Sequence, residues 1–321
     1  KPAELVLSKA SDPEVLASEG RHTLRVFVTR GTPGQSDFEI IYNEKFTDVG
    51  NSASAPVLKY GEMTIPDIPV GTVSIYCIGN EESLGKTYDN ETIIRELGNS
   101  PKLVMVDEGN AYFPKSEADI QTSGLPISGH RAGVNVRDGM GPVNIEMKRL
   151  VVKLNLIVEN ATASALTLEG VSYGPFSGDR LYVFPTENLD VPSVINYESF
   201  VFGTAVDGEN SIGLLMGPLD SDNSASGNSK CIYKAYIYPT YALRSETEDN
   251  PYTISLNVRN TATGTILTNL QSPRTFGLGH TNFKANTQVN IRARITSETD
   301  IIINFDVMAW DDYEIDVPDF N

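Results

Sequence analysis

Cysteine is nearly absent from this chain: Cys77 and Cys231 are the only two in 321 residues. No disulfide framework can hold such a fold, whichever compartment it occupies. Cys77 shares the phase of Val73 and Ile75, and Cys231 that of Tyr233, Ala235 and Ile237, so both are predicted as small buried hydrophobes with free thiols. Histidine is almost as scarce. His22, His130 and His280 stand far apart, with no H-E-x-x-H or C-x-x-C spacing around them, and they give no ligand set for metal catalysis. Basic charge is also in deficit: 25 Lys and Arg against 42 Asp and Glu leave a net charge of −17, a field that repels nucleic acid and anionic lipid. No apolar run approaches the ~18 to 20 residues of a membrane span. The amino terminus, Lys1-Pro2-Ala3-Glu4, has no signal-peptide core, and this abrupt opening predicts a processed precursor whose leader or lipid-attachment cysteine would lie upstream of Lys1.

Helical patterns are few. The clearest runs from Asn90 as an N-cap through Ile93, Ile94 and Leu97 to a stop at Gly98, a helix of two turns. What dominates is period-two alternation, best seen where Val289, Ile291, Ala293 and Ile295 interleave with Gln288, Asn290, Arg292 and Arg294. The same pattern recurs at Leu24, Val26, Val28, at Val73, Ile75, Cys77, and at Tyr252, Ile254, Leu256, Val258, each bounded by turn residues. Short, numerous strands without helical crossovers predict an all-β fold of antiparallel sandwiches.

A chain of 321 residues exceeds what one core usually serves, so two domains are expected. The boundary is placed by a change of phase. Apolar residues fall on odd positions at Val143, Ile145 and Met147, then on even positions at Leu150, Val152, Leu154, Leu156 and Val158. One continuous strand cannot do this without turning its buried face to solvent, so a bulge or a change of sheet is predicted near Lys148-Arg149. The expected domains are residues 1–147 and 148–321. Residues 107–141 and 185–211 show no clear period and read as connections between strands, with a recognition loop as the functional alternative.

Catalytic motifs do not emerge. Gly174-Pro175-Phe176-Ser177-Gly178 has its serine one position away from a nucleophile elbow. Asp220-Ser221-Asp222-Asn223 starts like a calcium loop but carries Cys231 where the twelfth-position glutamate belongs. Adjacent acids such as Glu81-Glu82 and Asp311-Asp312 are expected by chance in so acidic a chain, so they do not by themselves define a glycosidase pair. Trp310, the one tryptophan, lies out of phase with Ile301, Ile303, Phe305, Val307 and Ala309. It reads as the cap of a core edge, with a sugar-stacking platform as the alternative. No catalytic, cofactor-binding or metal-binding residue is assigned, and the chain is not expected to be an enzyme.

Three stretches carry a family resemblance. The first is Ile68-Pro69-Val70-Gly71-Thr72-Val73-Ser74-Ile75-Tyr76-Cys77-Ile78-Gly79-Asn80. The second is Leu125-Pro126-Ile127-Ser128-Gly129 followed by Val143 to Val158, with basic Arg149 ahead of the alternating strand. The third is the carboxy-terminal order of Gln288 to Ile295, Ile301 to Trp310 and an acidic close from Asp311 to Asn321. Together they make the sequence resemble the fimbrillin-like proteins of Bacteroides-type bacteria, which include pilus stalk, anchor and tip subunits. One departure is Tyr236-Ile237-Tyr238-Pro239-Thr240, where an asparagine is expected after the aromatic strand.

The resemblance implies two transthyretin-like β-sandwiches in tandem, export as a lipoprotein, and display on the outer membrane or in a fimbrium. It implies partners of two kinds: other pilus subunits, joined by donor-strand addition, and a host or bacterial surface ligand. It implies no cofactor. Stalk members are matured by cleavage after an arginine, for which Arg21 and Arg30 are the candidates, and Glu4 to Ser8 reads as a short tethered strand that is either exchanged or permanently docked. The alternative reading is a surface lipoprotein that binds carbohydrate, which would need tyrosines such as Tyr233, Tyr236, Tyr238 and Tyr241 gathered into an exposed platform.

Overall fold

Alternating sequence becomes paired strand almost throughout. The computed structural model describes residues 17–47, 60–62, 65, 67–99, 104–105, 115–177, 181–185, 197–202, 215–216, 230–239, 253–267, 271–273, 284–297, 299–310 and 313–317. Among these, the first half contributes β1 (Thr23–Arg30), β2 (Glu39–Thr47), β3 (Tyr60–Glu62), β4 (Gly71–Gly79), β5 (Val104–Met105), β6 (Lys115–Ser116), β7 (Ile127–Val136) and β8 (Val143–Arg149). The second contributes β9 (Val152–Asn160), β10 (Leu166–Ser177), β11 (Leu181–Tyr182), β12 (Tyr197–Phe202), β13 (Leu215–Met216), β14 (Lys230–Ile237), β15 (Thr253–Asn260), β16 (Ile266–Leu267), β17 (Gln271–Pro273), β18 (Thr287–Ile295), β19 (Ile301–Ala309) and β20 (Tyr313–Val317). The helices α1 (Asn90–Asn99) and α2 (Glu117–Ile120) are short, so the fold is all-β.

Among the described residues three larger sheets organise the chain, beside a two-stranded pairing of β11 with β5. The largest runs β2-β1-β4-β7-β8-β20-β3, a second runs β19-β18-β9-β14-β6, and a third is built on β12-β10-β15-β16. The odd residues Val143, Ile145 and Met147 are buried on β8, and Leu154, Leu156 and Val158 on β9. The chain changes sheet between these strands, at Leu150-Val151, which is why the phase of the sequence changes there. The last strand returns. β20 pairs antiparallel with β8, Ile315 opposite Ile145, and parallel with β3, Ile315 opposite Gly61. The end of the chain thus completes a sheet otherwise made from its beginning.

Around β1 and β4 the large sheet is covered on both faces, whereas β8 exposes Asn144, Glu146 and Lys148 on one. One face packs Val26, Val28, Ile75, Cys77, Ile145 and Met147 into a core of its own. The other places Phe27 and Ile78 against α1 and against Leu150, Val183, Phe184, Tyr236 and Trp310. β1 therefore buries consecutive residues and does not alternate strictly. Helix α1 differs from the sequence reading at its start: Asp89, and not Asn90, caps it, with the Asp89 carboxylate accepting from Thr92 N at 2.7 Å.

Two stretches read as connections contain strands. β7 lies within 107–141 and β12 within 185–211. In β7 the period is broken by a bulge, with Val134 opposite Val73 but Arg131 opposite Ile75, so four successive residues from His130 to Gly133 are exposed. Glu4 to Ser8 lies outside the described residues.

Two buried asparagines with positive φ, Asn80 at 57° and Asn286 at 61°, hold strand ends together. The Asn80 carboxamide oxygen accepts from His22 N (2.7 Å) and Thr23 N (3.2 Å), and its nitrogen donates to Gly20 O (2.9 Å) and Leu125 O (2.8 Å). A Cβ at neighbouring Gly124 would lie 2.4 Å from that nitrogen, so the position admits only glycine. Asn286 accepts from Arg149 N (3.2 Å) and donates to Trp310 O (3.1 Å) through its side chain. Its backbone bonds Val151 O (3.0 Å) and Trp310 N (2.9 Å).

Candidate functional site at the junction of the sheets

The residues tied by Asn286 are those where the chain passes between sheets, outward at Arg149 to Val151 and back after Trp310. A third segment joins them. The 3-10 turn Ala17–Glu19 precedes β1 and carries Glu19, which is fully buried. Its carboxylate pairs with Lys153 Nζ at 2.6 Å and accepts from the Tyr236 hydroxyl at 2.6 Å. Lys153 and Tyr236 face each other across β9 and β14.

Trp310 occupies the centre. Its ring stacks on Tyr236 with centroids 6.0 Å apart and planes 11° from parallel, while Arg149 Cζ lies 4.4 Å and Lys153 Nζ 5.4 Å from its centroid. Cations over an indole face are attracted by its quadrupole, and more strongly when desolvated. Burial pushes the Lys153 ammonium below its ordinary range, with Glu19 opposing the shift. Removing one partner of such a buried pair costs about 3–5 kcal/mol, whereas replacing both with apolar groups is often neutral. Position and orientation are what this arrangement can fix.

Of the described candidate residues singled out in the sequence, Trp310, Tyr236 and Tyr238 belong to this junction and the others lie elsewhere. Trp310 is 1% exposed and Tyr236 and Tyr238 are buried, so these three rings form a core edge and cannot serve as a surface sugar platform. Glu81 and Glu82 are both engaged as structural groups. Glu81 takes a bidentate pair from Arg25 at 2.6 and 2.9 Å and accepts from Tyr88 N, while Glu82 pairs with Lys45 and accepts from Thr23 Oγ1 at 2.8 Å. Cys77 is free and buried, and desolvation pushes its thiol up to about 12. The side chain of Cys231, Tyr241, His280, Asp220 to Asn223 and Asp311-Asp312 lie outside the described residues. His22 donates its backbone N–H to Asn80, and His130, exposed on the strand, stacks one ring face on Tyr76 at 5.6 Å, where partial desolvation lowers its basicity. Of the two arginines proposed for cleavage, Arg21 is buried and Arg30 ends β1, where its guanidinium donates to Pro69 O and Val70 O.

The Glu19–Lys153–Tyr236 cluster carried no local signal, because its members come from three distant parts of the chain and only Lys153 breaks an apolar run. The comparisons bear on the architecture that assembles it. The fimbrial tip protein Mfa3 of Porphyromonas gingivalis, with a C-terminal truncation, superposes at a TM-score of 0.53 and 11% identity, covering 92% of this chain and 96% of that one. The fold is fimbrillin-like. Two other structures cover this fimbrillin-like chain as fully at lower scores. They are a fimbrial assembly protein from Parabacteroides distasonis (TM-score 0.43, 12% identity, 92% and 93% covered) and the fimbrial anchor protein Mfa2 of P. gingivalis (0.37, 14%, 94% and 93%). The fold assignment rests on the first. No family model matches the chain, and no curated protein matches it.

Proposed function

We propose that this chain is a structural and adhesive subunit of a bacterial surface pilus, without catalytic activity, exported as a lipoprotein precursor to the outer membrane or fimbrium. Strand addition joins it to neighbouring subunits, and the second of its two transthyretin-like sandwiches begins after β8, at the change of sheet at Leu150-Val151, a little beyond the 147/148 boundary expected from the sequence. The single observation that carries the reading is β20, a five-residue strand from the far end of the chain that fills the slot between β8 and β3. A strand of that kind is bound through main-chain hydrogen bonds, which any strand of suitable register can supply. The fimbrillin-like fold supports the same conclusion.

A chain ending at Trp310 tests the idea together with a labelled peptide covering residues 311–321. The shortened chain is expected to take up the peptide, and a peptide carrying Ile315→Pro, which lacks a backbone donor, is expected to bind far more weakly. A folded shortened chain that ignores the native peptide would overturn strand addition at this slot.

A further inference from the structure

We propose that Glu19 is a latch on the C-terminal strand: by holding Lys153 and Tyr236 against Trp310, its carboxylate fixes the anchor from which β20 reaches the large sheet. Glu19 stands outside every sheet, in a three-residue turn, yet it is fully buried and bonds two central strands of the other half. Both residues it grips also contact the Trp310 ring.

That ring depends on its faces. Trp310 Nε1 has no hydrogen-bond partner among the described residues although the side chain is almost wholly buried, so no polar contact at its edge locates it. What locates it is stacking on Tyr236 and the two cations above it. Without the Glu19 carboxylate, Lys153 loses the buried counter-charge 2.6 Å from its ammonium while it still shares the ring with Arg149. Burial then favours water entering or the lysine leaving, and either removes support from the indole. Tyr313 follows Trp310 by three residues, a span of at most about 11 Å. Asn286 clasps the Trp310 backbone, so the anchor has two independent holds, one on the main chain and one on the ring. The turn before β1 and the last strand of the chain are thereby coupled through side chains alone. The latch governs how readily β20 leaves; only its use in assembly rests on the strand-addition reading.

Hydrogen exchange on the full chain tests it, with tryptophan emission as a second readout, since Trp310 is the only tryptophan. Glu19→Gln is expected to speed exchange across residues 313–317 at least tenfold and to shift Trp310 emission to the red, leaving β1 and β18 amides at their original rates. The double variant E19Q/K153M, which removes both charges, is expected to restore slow exchange. Unchanged exchange at 313–317, or an equal rise in every strand, overturns the latch. If E19Q does not fold, Tyr236→Phe decides: loss of the hydroxyl alone should speed β20 exchange about two- to threefold, and no change sinks the proposal. Peptide uptake by the shortened chain is scored separately, so a failure of strand addition leaves this result readable.

Discussion

Asn80 and Asn286 adopt nearly the same backbone conformation and are both buried, but they do different jobs. Asn80 uses both ends of its carboxamide twice, and all four partners belong to the first half of the chain: Gly20, His22, Thr23 and Leu125. The Asn286 carboxamide meets Arg149 and Trp310 instead, and both asparagines also bond through the backbone, Asn80 to Thr23 and Ser83, Asn286 to Val151 and Trp310. The partners of Asn286 are the two passages between sheets. The difference teaches that one residue type in one conformation can serve as an internal staple or as a clasp between layers, according to whether the strands it meets share a sheet.

The largest effect is expected at the staple. Asn80→Ala removes the partner of two part-buried N–H and two buried C=O groups and puts alanine, which tolerates the left-handed region less well than asparagine, at positive φ, a loss of about 4–5 kcal/mol in global stability by chemical denaturation. A loss under about 1 kcal/mol would mean that water replaces the carboxamide and that the comparison is wrong. Asn286→Ala removes the side-chain partner of Arg149 N–H and Trp310 C=O, for about 2–3 kcal/mol. Its signature is regional: exchange should rise first in 310–317, whereas Asn80→Ala should raise it in β1 and β7. The smallest effect sharpens the shared part. At both positions Asn→Gly should be about 1 kcal/mol less damaging than Asn→Ala, because both backbones sit where glycine is free of strain. Unequal differences would show that the two conformations are not energetically alike.

Much of this architecture was legible in the sequence. Val289 to Ile295 alternates and is a strand with its odd residues buried, and the phase change after Met147 marks a real change of sheet. Asn80 was visible as the end of a motif, though its role was not, since its partners lie 45 to 60 residues away. β7 was hidden because a bulge destroys the period on which strand reading depends. The junction was hidden for another reason. Tyr236 and Glu19 are separated by 217 residues, and nothing local in either segment says that a buried hydroxyl will meet a buried carboxylate. Trp310 announced itself by being out of phase, which is what a residue leaving one sheet for another must be.

The pairing of β20 between β8 and β3 also sets the order in which the molecule can be finished. Glu314 lies beside Tyr60, so a sheet begun at Thr23 waits for residues more than 250 positions later to be synthesised or exported. Until they arrive, β8 presents an open row of amides and carbonyls. Contacts of such sequence separation form slowly, and open edges invite pairing with the wrong chain. The nascent protein therefore travels with this edge open, and pulse-labelled exchange during refolding should find the β8–β20 bonds among the last to be protected.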